Sequence, residues 1–557
     1  MEHLPEQQHM EGEGAAKLRR LERSCGLNGG SSFHLEDLPM EIQPLVLSLL
    51  SLKKAASTSI VSRNWRKLWT WYPNLCFDGS RDGPADKYGL KIETEKFIET
   101  VDSIIRQHSG IGLNKFGIRC NLRKNSSDVL DRWICFATES KAKVIDMNLG
   151  PKRNNVGPSK QAYGFPLEAF GAQDCPFIHS LSLNNVSIKP HLDICGFTKL
   201  RFLHLDCVQI IGDLPGLLLN CCSLEDLEVI ACLGVTCLNI PHQLDKLRHL
   251  LISDTRVQMI ELNAPHLSDF GYQGEVIPIV LHGCSKLQKA TLNFHHTWNE
   301  EEHNKVLGHA FNGIPSISTV KVLNVRAYTH IKQPVWSSQV HTLIRPTCMF
   351  MNLRHLNYEI AIFTNFPNSY DGILRMAQYL ALVPQLETLE LHMFYARNDS
   401  SCWHGEVVSF PMRGLDRLKM VYMSGFRCYR AQMDLLCGIL QMAAALEHVT
   451  IDPIARVQFR SAHASLLIPD ENKICEWAHG ASERFGKAIN AKANGILQMG
   501  AVLQHVTIDP IARVQFRSAY AGLFIPDEDE ICEWAHGASE RFGKAINERC
   551  LSIKKMN

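Results

Sequence analysis

From about residue 170 a short hydrophobic phrase keeps returning along the chain. Its form is Leu-x-x-Leu-x-Leu, with aliphatic or aromatic substitutes. It reads Ile178…Leu181…Leu183, Leu200…Leu203…Leu205, Leu224…Leu227…Val229, Leu247…Leu250…Ile252, Leu267…Phe270…Tyr272 and Leu287…Ala290…Leu292. Later copies are Ile317…Val320…Val322, Leu353…Leu356…Tyr358, Leu386…Leu389…Leu391, Leu415…Leu418…Met420 and Leu446…Val449…Ile451. The first six begin 22, 24, 23, 20 and 20 residues apart, and the later ones about 30 or more. Alternate residues of a strand face opposite ways, so the last two apolar positions predict a strand buried on one side. The residue between them points outward. One such strand cannot cover its apolar side, but a stack of them can. Helical spacing in Gly216-Leu217-Leu218-Leu219 and in Ile373…Ala377…Leu380 predicts that some return segments are helices.

The period and the phrase lie within the range of leucine-rich repeats. Residues 79–170 carry a helical pattern at Phe97, Val101, Ile104 and Ile105 and strand patterns at 115–120 and 144–149, which suits a βα start to the same solenoid.

Residues 35–72 behave differently. Ile42, Leu45, Val46, Leu49 and Leu50 recur at three and four, which is helical spacing. Asp37 is the expected N-cap and Pro39 suits a first turn, whereas Pro44 falls about a turn inside and demands a late start or a kink. After a break around Ser51–Lys54, Ala55, Ile60, Val61, Trp65, Leu68, Trp69 and Tyr72 resume the pattern. A unit this small rarely buries so much apolar surface within itself, so the surplus points to a partner.

These residues resemble the F-box: Leu38-Pro39, Glu41-Ile42, Leu47-Ser48, Leu50, Ala55-Ala56, Ser59, Val61-Ser62-Arg63, Trp65-Arg66 and Leu68-Trp69. Tyr72-Pro73-Asn74-Leu75 and Phe77 resemble the exit sequence of plant F-box proteins. The resemblance implies docking onto a Skp-type adaptor of a cullin–RING ubiquitin ligase, through Leu38, Pro39, Ile42, Val46, Leu49, Val61 and Trp65. It further implies a repeat surface that holds a target protein. Outward strand positions are the candidates: Phe202, His204, Asp206, Asp226, Glu228, His249, Lys289, His355, Glu390, His392, Arg417 and Lys419. The alternative role is an adaptor-binding repeat scaffold that leads to no degradation.

At the C-terminal end, residues 439–490 and 496–547 are nearly the same sequence, with eight differences over 52 aligned positions. Each copy opens on a repeat-like strand, Val449-Thr450-Ile451 or Val506-Thr507-Ile508, broken by Asp-Pro, and each ends in an amphipathic helical pattern. By position and by the Leu446–Ile451 strand this tail resembles the FBD domain of plant F-box/leucine-rich-repeat proteins, which ordinarily occurs once. The expected fold is α/β: a leader over 1–34, a three-helix F-box over 35–78, a solenoid start over 79–170 and irregular leucine-rich repeats over 171–438. FBD-like caps follow over 439–495 and 496–550.

Composition narrows the chemistry. A formal net charge of +1 gives no broad electrostatic case for nucleic acid or an anionic membrane. The 19 cysteines have no framework spacing and the start is not a secretory signal, so reduced thiols in the nucleus or cytoplasm are expected. Cys207, Cys221 and Cys284, beside leucine-rich segments, read as small hydrophobes. Phosphate-loop, dinucleotide, nucleophile-elbow and zinc-protease motifs do not occur, so no catalysis, cofactor or metal is expected. His295-His296 with Glu300–Glu302 and His303 is weighed as a metal loop and set aside as exposed polar sequence.

Overall fold

The computed structural model describes residues 38–39, 42–58, 69–79, 87–150, 161–170, 177–190, 197–240, 244–294, 309–331, 349–369, 372–395, 403, 415–452, 505–508 and 551–552. The chain divides into two compact units, Met1–Pro73 and Asn74–Asn557. The leader over 1–34, Val61, Trp65, the His295–His303 loop and the terminal helices of both tail copies lie outside the described residues.

In the first unit α1 spans Gln43–Ser48 and α2 spans Leu52–Thr58, and a 3-10 turn follows at Trp69–Trp71. The late start accounts for Pro44. The N-cap is Ile42, so Pro44 sits in the first turn, where its missing N–H removes no helical bond. The expected start at Asp37 and Pro39 is therefore corrected. Pro39 instead closes a turn, its carbonyl accepting from the backbone N–H of Ile42 at 2.9 Å. Leu47, Ala55, Trp69 and Tyr72 form the small core, and the Tyr72 hydroxyl donates to the Leu50 carbonyl at 2.7 Å.

The second unit is one long ladder. Its strands are β1 (Asn74–Asp78), β2 (Lys115–Arg119), β3 (Val144–Asn148), β5 (Ser180–Asn184), β7 (Phe202–Asp206), β9 (Asp226–Ile230), β11 (His249–Ser253), β13 (Asp269–Gly274) and β15 (Lys289–Phe294). The ladder continues through β16 (Val322–Ile331), β17 (His355–Thr364), β18 (Thr388–Tyr395), β19 (Met420–Ser424), β20 (His448–Asp452), β21 (His505–Ile508) and β22 (Leu551–Ser552). They form a 16-stranded sheet in chain order, every neighbouring pair parallel. The sheet begins at Asn74, inside the stretch read as the exit of the first module.

Register explains why the leucines recur. Leu181, Leu203, Leu227, Leu250, Phe270, Ala290, Leu323, Leu356, Leu389 and Val421 stand directly beside one another across successive strands. All are at most 2% exposed. A second column two residues on, from Leu183 to Ile451, is equally covered. Each fully buried Leu contributes about 2 kcal/mol, which only a stacked neighbour can supply.

Two copies of the phrase are out of frame by three residues. Val322 pairs with Lys289, so the aligned phrase is Val320…Leu323…Val325, not Ile317…Val320…Val322. Likewise Met420 pairs with Thr388, so the phrase is Leu418…Val421…Met423, not Leu415…Leu418…Met420. In both places an extra buried residue, Ile317 or Leu415, stands three before the true start and imitates it.

Return segments include helices α3 (Lys87–Gln107), α4 (Ser127–Glu139), α5 (Leu214–Leu219), α6 (Gly372–Leu380) and α7 (Arg430–Met442). The helices expected near 216–219 and 373–380 are α5 and α6. Elsewhere the return is extended. Strands β4 (Tyr163–Gly164), β6 (Val186–Ile188) and β8 (Gln209–Ile210) make one small parallel sheet. Strands β10 (Cys237–Ile240), β12 (Met259–Asn263) and β14 (Ile279–His282) make another.

A tight corner follows several strands. Asn185, Cys207, Ala231 and Asp254, each one residue past its strand, have φ of 57°, 53°, 50° and 54°. Each N–H donates to the fifth strand residue of the next repeat, Asp206, Ile230, Ser253 or Gln273, at 2.8 to 3.0 Å. The same rung thus holds a left-handed residue four times, at a steric cost of about 1 kcal/mol for a non-glycine.

The opening strands of the two tail copies stand side by side. His448, Val449, Thr450 and Ile451 of β20 pair with His505, Val506, Thr507 and Ile508 of β21, so identical strands occupy successive rungs.

Candidate functional site

Two surfaces carry the candidate residues, one on each unit. On the first unit Ile42, Val46 and Leu49 lie four and three residues apart, which places them on one helical stripe. Ile42 and Val46 are half-buried, as is Leu38, while Pro39 is exposed. Leu49 is 75% exposed, the highest value among the large apolar side chains described. Leu47, on the opposite side of α1, is fully buried in the unit's own core. Among the described residues the stripe is apolar and only partly covered, with Leu49 its most open side chain.

The second surface is the face of the 16-stranded sheet opposite its core. Phe202 is exposed there, with the Arg201 guanidinium 5.3 Å from its ring centre. His204, Asp206, Asp226, Glu228, His249, Lys289, His355 and Glu390 are half-buried on outward strand positions, as expected. Three candidates differ. Arg417 and Lys419 are exposed but precede β19; the three-residue frame shift had placed them on the strand, where Met420 and Tyr422 stand instead. His392 is buried, its Nδ1 2.8 Å from the Ser424 hydroxyl and its ring 5.4 Å from Tyr422, because the next rung covers it.

The outward side chains form cross-strand pairs set by register. His204 is opposite Glu228, and its Nδ1 lies 2.6 Å from Glu228 Oε2. His249 Nε2 lies 3.6 Å from Glu228 Oε1, and Lys289 Nζ lies 3.2 Å from Asp269 Oδ2. Hydrogen bonding to Glu228 raises both histidines above their usual value, and the same contacts hold the Glu228 carboxyl at about 2. Farther along, Glu390 lies 3.5 Å from His392 Nε2 and 3.5 Å from His355 Nε2. The His392 contact, aided by His355, lowers the Glu390 carboxyl below its usual value.

Sequence reading missed the Arg326–Glu359 pair, 2.6 Å apart and mostly covered. Both occupy the fifth strand position, the one Asp206 also holds. Frame slippage at the preceding phrase hid Arg326. A further row lies just before the strands, with Arg201 making two bonds to Glu225 at 2.9 and 3.1 Å and Arg354 one to Glu387 at 2.8 Å.

The cysteines behave as expected: Cys207, Cys221 and Cys284 are buried. Burial pushes the thiols of Cys120, Cys207, Cys221 and Cys232 up to about 12, which makes them poor nucleophiles. Such a surface can bind protein through apolar and charged contacts.

Comparison with known proteins matches the chain to the same two kinds of module. A family model described as At1g61320/AtMIF1, LRR domain, matches residues 104–495, and an F-box domain model matches residues 35–77. F-box protein At3g03040 of Arabidopsis thaliana is 31% identical over 184 residues, covering 32% of this chain and 36% of that protein. Putative F-box/LRR-repeat protein At3g59230 of the same plant is 30% identical over 213 residues, covering 37% and 41%. Probable FBD-associated F-box protein At1g32375, also from Arabidopsis thaliana, is 23% identical over 429 residues, covering 75% and 92%. The chain thus spans well under half the length of the first two relatives. Among solved structures, the Leptospira interrogans LRR protein LIC12759 shares 13% identity at a TM-score of 0.28, covering 69% and 90%.

Proposed function

The chain belongs to the F-box/leucine-rich-repeat family of plant proteins, and from that premise we propose that it is the substrate-recognition subunit of a Skp–cullin–F-box ubiquitin ligase. The stripe Ile42–Val46–Leu49 docks a Skp-type adaptor, and the open sheet face holds a target protein. Ubiquitin transfer belongs to the other subunits, and the assembly works in the nucleus or cytoplasm. The apolar stripe, open at Leu49, is the observation that carries this reading, because an amphipathic helical face against an apolar groove is a recurring mode of peptide recognition. Burying Leu49 in a partner contributes about 1.5–3 kcal/mol, before the cost of association.

The test is recovery of cullin on the tagged chain, in cells with and without the adaptor, followed by proteasome inhibition. Cullin is expected only when adaptor is present, and at least one bound partner is expected to accumulate after inhibition. Adaptor-independent recovery of cullin, or none at all, refutes the docking half. Adaptor and cullin without any accumulating partner refutes the degradation half and leaves a scaffold.

A further inference from the structure

We propose that Asp226, Glu228 and His249 form a binding site for one divalent transition-metal ion of the zinc type on the open face of the sheet. This goes beyond target recognition and does not require it. Strand β9 presents Asp226 and Glu228 two residues apart on one face, and β11 places His249 directly opposite Asp226. The three side chains bring one ligand atom each within 4.8 Å of one another. Among the described residues this is the cluster in which three such groups converge so closely. His249 Nε2 and Glu228 Oε1 are already 3.6 Å apart. A tetrahedral ion with bonds of about 2.0–2.2 Å needs donor atoms roughly 3.3–3.6 Å apart, so small side-chain rotations close the site.

The surrounding groups are those a metal site uses to orient its ligands. His204 Nδ1 holds the second oxygen of Glu228 at 2.6 Å, leaving Oε1 directed at the cluster. The far nitrogen of His249, Nδ1, is buried without a hydrogen bond, and Asp269 Oδ2 stands 4.0 Å from it. Lys289 anchors that carboxylate at 3.2 Å. A carboxylate hydrogen-bonded behind a ligating imidazole fixes its tautomer and leaves Nε2 as the ligand atom, and Asp269 would take that role once a shift of about 1 Å brings it within hydrogen-bond reach of Nδ1. Imidazole with carboxylates suits zinc and its neighbours rather than magnesium, which takes an all-oxygen octahedral shell. The fourth position opens to the face itself, where water or a donor from a bound protein completes it.

The experiment titrates the full-length chain with zinc chloride by calorimetry and with cobalt chloride by absorption. Wild type is expected to show one site that His249→Ala removes and Asp226→Asn weakens tenfold or more. Asp226→Asn is nearly isosteric, and circular dichroism of both variants establishes that they fold. His282→Ala is the control: among the described residues His282 pairs with Glu261, at 3.3 Å, and its loss should change nothing. Cobalt in this nitrogen and oxygen set gives visible bands without thiolate charge transfer. Equal stoichiometry and affinity in wild type, His249→Ala and Asp226→Asn overturns the proposal, as does a cobalt spectrum dominated by thiolate and unchanged in both variants.

Discussion

The most demanding structural prediction concerns Gln432, a fully buried polar side chain at the start of α7. Its Oε1 accepts from the backbone N–H of Arg427 at 2.8 Å and of Tyr429 at 3.2 Å, and its Nε2 donates to the Gly425 carbonyl at 3.0 Å. This one side chain ties the exit of β19 to the first turn of α7. Gln432→Met keeps length and approximate volume and removes these three bonds to backbone, along with the weaker one from Nε2 to Met393 Sδ at 3.3 Å. At about 1 kcal/mol net per bond the loss is about 3 kcal/mol, and more where a buried group finds no water. The sheet is nearly one-dimensional, so the damage should stay local, loosening α7 and β20 while the rungs from β5 to β15 stay intact. Hydrogen exchange followed by mass spectrometry reads this directly. Peptides covering 425–452 should exchange on the order of 100-fold faster in the variant, the factor that about 3 kcal/mol implies. Unchanged protection in those peptides would refute the assignment of Gln432 as the tie. Loss spread evenly over all repeats would refute the local, rung-by-rung picture.

Three further predictions follow from the same geometry. Ala231→Gly relieves a φ of 50° at a corner with no side-chain hydrogen bond to lose, and should raise stability by roughly 0.5–1 kcal/mol in urea unfolding. Leu250→Ala removes a residue with no exposed surface from the middle of the inward column and should cost about 2–5 kcal/mol by the same measurement. Glu390 titrates below its ordinary value of 4.5, so its charge stabilises the fold above that pH and the benefit fades as pH falls through the lowered value. Glu390→Gln should therefore be less stable than wild type at neutral pH and match it in strong acid; a difference independent of pH would contradict the assignment.

The ladder was legible because the physics leaves few options. An Leu-x-Leu pair inside a repeat of about two dozen residues has to be a strand with both leucines inward, and register then aligns every copy. Where three apolar residues stood three apart, as in Ile317, Val320 and Leu323, sequence offered two frames. Only pairing with Lys289 at Val322 chose between them. The same slip took Arg417 and Lys419 for strand residues and hid Arg326. His392 shows another kind of miss: alternation placed it outward correctly, but Tyr422 and Ser424 on the next rung cover it. The extended returns at β10, β12 and β14 were overlooked because runs of four or five residues carry little periodic signal. Pro44 requires the first helix to start late or bend, and the N-cap at Ile42 settles the late start. The Asp226–Glu228–His249 cluster was visible as outward residues, yet its convergence depends on a register that sequence spacing alone does not fix.

On the proposed reading a Skp-type adaptor binds the Ile42–Val46–Leu49 stripe of the first unit. The most direct test of that docking is the affinity of purified adaptor for the full-length chain, wild type against Ile42→Ala/Leu49→Ala, by calorimetry or surface binding. Losing two buried apolar anchors at about 1.5–3 kcal/mol each should weaken binding by a hundredfold or more, with the repeat ladder's circular dichroism unchanged. An affinity equal to wild type in that double variant would rule out the stripe as the docking site.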